Sequence, residues 1–191
     1  MTPTYRGHVA RWLGQVSLGL LLTVSACGPR VYLPLELKLS THDLPPNFHP
    51  RATSMEEIEG GISYGGDFYA SSDPSQVYIL VKHELAIYPG PAEAAAAYAS
   101  LESEYFPSPY WQDVESFRFR PRDPTDPFRF ACMPVMLNEV PITSCGFLQQ
   151  HSQFISLVLM NTDGKAITIL QLEHAIDRLD ERFFNYRPPD E

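Results

Sequence analysis

The stretch "QFISLVLMN", residues 153–161, decides the fold class of this chain. It is almost continuously apolar and rich in branched side chains. A strand buried on both faces needs such a run, so the stretch predicts a strand in the middle of a sheet. Working backwards, "CGFLQQ" (145–150) and "PFRFACMP" (127–134) read as further strands. So does "DVESFRF" (113–119), in which aromatic and polar residues alternate; the loop "RPRDPTD" (120–126) separates it from the next strand. Working forwards, "TDG" (162–164) is a turn, and "TILQLEHAIDRLDERFF" (168–184) predicts a helix. Thr168 and Gln171 have the spacing of a capping box, with a side-chain acceptor at the cap and an amide three residues on. Ile169, Leu172, Ile176, Leu179 and Phe183 recur at helical spacing and form one apolar stripe. "RPP" ends the helix.

The first half carries fewer strands. "SQVYILVKHELAIY" (75–88) is β-branched and aromatic, with Val77, Ile79 and Val81 alternating with Tyr78, Leu80 and Lys82. "GPAEAAAAYASLESEYF" (90–106) predicts a helix: Pro91 suits a first helical position and four consecutive alanines have the highest helix propensity. Ala94, Tyr98, Leu101 and Tyr105 fall on one face, Glu93, Glu102 and Glu104 keep the rest wet, and Pro107 and Pro109 stop it. "IEGGISYGGDFYASS" (58–72) has two Gly-Gly pairs. A phosphate-binding loop needs a lysine and a helix start in a frame this stretch lacks, so turns flanking short aromatic strands are expected. "LELKL" (35–39) alternates and predicts a first strand, followed by a turn at "DLPPNF" (43–48), where Asp43 bonds its own backbone and two prolines fix φ.

The order is strands, helix, four strands, helix. Strands that follow one another directly pair antiparallel. The expected architecture is therefore α+β: a single antiparallel sheet with two amphipathic helices packed on it, roughly an α/β sandwich. The 191 residues suit one domain with short extras: 1–26 a targeting segment, 27–57 a tether leading into the fold, 58–187 the domain and 188–191 a tail.

Residues 1–26 combine Arg6 and Arg11 with the apolar run "VSLGLLLTV" (16–24) and the small residues Ser25 and Ala26. The run is far short of the ~20 residues that cross a bilayer, so it reads as a secretory signal and not a membrane span. Val24-Ser25-Ala26-Cys27 resembles a bacterial lipobox at all four positions. That resemblance implies cleavage before Cys27 and diacylglycerol on its sulfur, which anchors the mature chain, soluble in itself, on the membrane. Gly28 rather than Asp follows, which in the Gram-negative sorting pattern favours the outer membrane. The six residues "DLPPNF" are similar to a piece near the start of many secreted bacterial domains. The element order over residues 60–185 resembles the Mog1/PsbP-like α/β/α sandwiches of secreted bacterial lipoproteins, although a disulfide between adjacent strands is not part of that pattern.

Three cysteines in a secreted protein leave one unaccounted for. With Cys27 acylated, Cys132 and Cys145 remain in an oxidising compartment and are expected to pair. The net charge is -9, and removing residues 1–26 takes away two arginines and no acid, leaving 12 basic against 23 acidic residues. That balance argues against nucleic acid and against direct adhesion to anionic lipid headgroups.

Catalytic signatures do not emerge. There is no H-E-x-x-H or S-x-x-K, and no histidine lies four residues from another; G-x-S-x-G occurs at Gly61–Gly65, but in a stretch read as turns and short strands and not as the strand-to-helix turn that motif needs. No cofactor is expected. His42, Asp43 and His49 share one loop and are the best metal or hydrolytic candidates. The aromatic loop "YFPSPYWQ" (105–112) offers Tyr105, Phe106, Tyr110 and Trp111 as a ligand or partner surface, or else as rings that plug the core edge. The leading expectation is a lipid-anchored extracytoplasmic binding or accessory module, more a binder than an enzyme, with an envelope protein as a possible partner. The alternatives are a small envelope hydrolase and a purely structural lipoprotein.

Overall fold

The computed structural model describes residues 34–70, 80–107, 109–137 and 139–186. The segment read as a secretory signal, Cys27, the start of the strand stretch at Val77–Ile79 and the tail fall outside them. The chain forms β1 (His49–Ile58), β2 (Gly61–Tyr69), β3 (Leu80–Ile87), α1 (Pro91–Tyr105), β4 (Phe128–Leu137), β5 (Val140–His151), β6 (Phe154–Thr162) and α2 (Ile169–Phe184). The six strands make one open sheet in the order β1-β2-β3-β6-β5-β4, every neighbouring pair antiparallel. β6, formed by the apolar run at 153–161, lies between β3 and β5. Its residues Phe154, Ile155, Ser156, Leu157 and Val158 are all buried, whichever face they point to, as a central strand requires.

Strand alternation sorts the core into two layers. Leu85, Phe147, Val158 and Met160 point to the face covered by α2, where Leu172, Ala175, Ile176, Leu179 and Phe183 pack on them. Ala86, Leu148, Ile155 and Leu157 point to the other face, under Ala94 and Tyr98 of α1 and the ring of Phe106. The capping box at Thr168 is formed in full: its hydroxyl accepts from the Gln171 backbone N–H, and the Gln171 side chain accepts from the Thr168 backbone N–H. Cys132 and Cys145 face each other in register across β4 and β5 with an S–S distance of 2.04 Å.

Two expected strands are absent, for the same physical reason. "LELKL" forms a 3-10 turn at Pro34–Leu37 rather than a strand. Leu37 and Leu39 are both buried, and the Leu39 N–H donates to His83 Nδ1 at 2.9 Å instead of to a neighbouring strand. "DVESFRF" forms no strand; an isolated bridge joins Gln112, just before it, to Cys132. Its alternation places Phe117 flat on Phe130 (3.8 Å) and Phe119 edge-on to Phe147 (5.5 Å). The backbone here and in the loop that follows is met from α2: Arg118 N–H donates to Glu173 and, in the loop, Arg122 N–H to Asp180. In both segments side chains supply the hydrogen bonds a sheet would have supplied.

Residues 34–58, most of them within the segment read as tether and entry, are folded: Leu37, Leu39, Leu44 and Phe48 belong to the α2-side core, and β1 spans His49–Ile58.

Candidate functional site

The two faces of the sheet are covered unequally, and the difference creates a groove. On the α2 side, helix, 3-10 turn and the 114–119 segment together cover most of β2 to β6, while β1 stays exposed along nearly its whole length. On the other side α1 packs over β5 and β6, and among the described residues the same face of β1, β2 and β3 is left open. The groove runs between α1 and that open half, with a volume of about 640 Å³. Its floor is Ala86, Tyr88, Ile155 and Leu157, all buried, with Ile58 at the edge. Its helical wall is one face of α1: Glu93, Ala96, Ala97, Ser100, Leu101 and Glu104. Small side chains at the middle positions keep the cleft wide, and Glu59 and Glu84 complete an acidic rim.

The aromatic loop divides. Phe106 is buried, tilted against Trp111 with ring centroids 5.1 Å apart, and lies over Gly146, where an added Cβ would sit 2.8 Å from the ring. Tyr105 and Trp111 are half-buried against the same cluster. Tyr110 alone of the four is well exposed, at 70 %. Three of the four rings thus close the edge of the core, while Tyr105 also borders the groove: burial, then the charges of Glu84 and Glu104, push its hydroxyl pKa up.

His42, Asp43 and His49 are not brought together as a site. His42 and His49 are exposed, on a turn and at the start of β1. Asp43 is buried and engaged: it accepts from Ser40 N–H (2.8 Å) and Ser40 Oγ (3.0 Å) and pairs with Arg182 Nη2 at 2.8 Å. Arg182 also donates to the carbonyls of Glu36 and Lys38, and Arg178 Nε lies 3.4 Å from Asp43 Oδ1. This clasp ties the first folded turn to α2. Among the described residues, no three His, Cys, Asp or Glu side chains are grouped to hold a metal ion.

Two arrangements that the sequence did not reveal resemble catalytic pairs. His83 Nε2 lies 3.0 Å from Ser156 Oγ, both fully buried on facing strands. A hydrolytic dyad needs Nε2 unprotonated to take the serine proton. Here the Leu39 N–H donates to Nδ1, so Nε2 carries the hydrogen and donates to the serine. Burial, then the charges of Lys38 and Arg182, lower the His83 pKa to about 3, holding it neutral. The pair satisfies polar groups in the core. His151 is held by Asp126 at the end of β5, beside the ring of Phe183. Burial alone lowers its pKa, but the hydrogen bond to Asp126 and the charges of Asp126, Asp180 and Asp123 outweigh that and raise it. Next to it, Arg122 bridges Asp177 (3.0 Å) and buried Asp180 (3.1 Å), and Gln149 Nε2 donates to Asp180 at 2.6 Å. The His151 ring thus acts as a clamp on the 120–127 loop.

The fold and groove define an open antiparallel α+β sheet with one half-face uncovered among the described residues. No family model matches the chain, and no curated protein matches it. Among the described residues no helix is long and apolar enough to cross a membrane.

Proposed function

We propose that the protein is a lipid-anchored, extracytoplasmic binding module of the bacterial cell envelope, held through Cys27, with the α1 groove as its binding face. The groove carries the binding half of this reading. An apolar floor ringed by a few polar groups, within the ~300–1,000 Å³ of ordinary ligand pockets, is the usual form of a small-molecule site. The lipobox Val24–Cys27 supports the anchor, and a Cys132–Cys145 pair at bonding distance suits an oxidising compartment. A tethered acidic domain stands off anionic headgroups, leaving the groove to solutes or to an envelope protein. The hydrolase alternative has no support from Asp43, His83 or His151, each of which is engaged in holding the fold.

The test is a screen of cationic, anionic and neutral small amphiphiles by backbone amide shifts. The reading expects shifts clustered on Ala97, Leu101, Ile155 and Leu157, lost in Ala97→Phe, which fills the cleft. A screen in which no compound moves those residues overturns it.

A further inference from the structure

The groove has a polarity along its length that points to one ligand class. Glu93 and Glu104 lie eleven residues apart on α1, which at 1.5 Å per residue separates them by about 16 Å along the axis. Between them the wall is Ala96, Ala97, Ser100 and Leu101, and the floor is Ala86, Ile155 and Leu157. Each end has a second carboxylate from the sheet. Glu59 sits in the β1–β2 turn, whose Gly61 approaches the Ile87 carbonyl and Tyr88, just before Gly90 and Glu93. Glu84, on β3, joins Glu104 at the far end, where both act on the hydroxyl of Tyr105. Lys82 pairs with Glu84 at 2.5 Å, so the far end is less negative than the near end.

We infer that the groove binds a linear polyamine, an unbranched chain of protonated amines joined by methylenes, with one terminal ammonium at Glu59 and Glu93 and the other at Glu84 and Glu104. This deepens the binding reading above and rests on it. A tetraamine such as spermine spans about 16 Å when extended, from ordinary bond lengths. Its terminal charges then meet the carboxylates, its methylenes lie against the alanine and leucine wall, and its two inner ammoniums stay hydrated on the groove's open side. A compact divalent cation matches the charge but covers none of the apolar floor. A fatty monoamine covers the floor but satisfies one end.

The experiment uses the complete protein in detergent, titrated with spermine, magnesium chloride and dodecylamine, and read by calorimetry and backbone amide shifts. Saturable spermine binding is expected, with shifts at Ala97, Ser100, Leu101, Ile155 and Leu157 that equimolar magnesium does not reproduce. The Glu93→Gln/Glu104→Gln variant binds about tenfold more weakly at low salt, as expected for two solvent-reached ion pairs. Both positions are exposed, so the variant folds, and Glu102→Gln, on the same helix outside the groove lining, leaves affinity unchanged. If dodecylamine shifts the groove and spermine does not, the groove remains a binding face and the polyamine assignment is overturned. If spermine shifts only the acidic surface that magnesium shifts, the assignment is equally overturned. If no probe moves the groove residues, both readings fall.

Discussion

Asp43→Ala separates a structural carboxylate from a catalytic one. Asp43 has 9 % side-chain exposure and Arg182 16 %, so their 2.8 Å contact is largely shielded from solvent. Removing the carboxylate deletes that contact and the bonds from Ser40 N–H and Oγ. Hydrogen bonds to charged groups are each worth about 1.5–3 kcal/mol, and breaking one side of a buried pair costs about 3–5 kcal/mol. Two facts reduce the sum. Arg182 keeps the Glu36 and Lys38 carbonyls as acceptors, and Arg178, at 49 % exposure, adds little. A loss of about 2–3 kcal/mol is expected, with Asp43→Asn losing less because it keeps an acceptor for Ser40. Urea unfolding followed by Trp111 fluorescence reads this directly: with a slope of ~1–3 kcal/mol per molar, the midpoint falls by roughly 1 M. If the alanine variant unfolds within about 0.5 kcal/mol of the wild type, as a surface substitution would, the clasp between the first turn and α2 is refuted.

Other consequences are as direct. Reducing Cys132–Cys145, which are 13 residues apart, should cost about 3 kcal/mol in the chain-entropy model. The check is the melting temperature with and without a phosphine reductant. His83, held well below its ordinary 6.5, contributes stability that is full above pH 6.5 and declines as the pH falls towards 3, because only the unfolded chain takes up its proton. Its imidazole resonances should not titrate between pH 8 and 5, and a protonation midpoint near 6.5 in the folded state would contradict its burial. His151 has the opposite sign: its raised pKa gives stability that is full below pH 6.5 and is lost as the pH rises through the folded value, so His151→Gln should flatten the loss of stability as the pH rises above 6.5. Gly146→Leu should expel the Phe106 ring and destabilise by about 1–3 kcal/mol, as overpacked cores do. An unchanged Trp111 emission maximum in that variant would contradict the packing.

The apolar run at 153–161 and the stripe at 169–183 were sufficient to place the central strand and α2, because both report burial, which sequence pattern encodes. The alternation in "LELKL" and "DVESFRF" misled for a related reason. Alternation marks which side chains go inside, and Leu37, Leu39, Phe117 and Phe119 do go inside. It does not say whether the backbone meets a strand or, as here, a histidine ring and two carboxylates of α2. The aromatic loop was visible as composition, but which rings face the core depends on Gly146, forty residues from Phe106 in the chain. The groove was harder to see. Glu93, Ala97, Leu101 and Glu104 share a helix face whose acids read as ordinary solvated charge, and Glu59 and Glu84 reach it only through the pairing of β1, β2 and β3. The His83–Ser156 pair likewise joins residues seventy-three positions apart and has no local signature.

Cys27 matters most to the proposed function, because the proposed anchor is what would place the groove outside the cell. The direct measurement is the intact mass of the protein extracted from a bacterial membrane, with detergent-phase partitioning alongside. The predicted result is a chain beginning at Cys27, heavier by a thioether-linked diacylglycerol, that enters the detergent phase and loses both properties in Cys27→Ala. A mature chain with unmodified Cys27 that stays in the aqueous phase would contradict it.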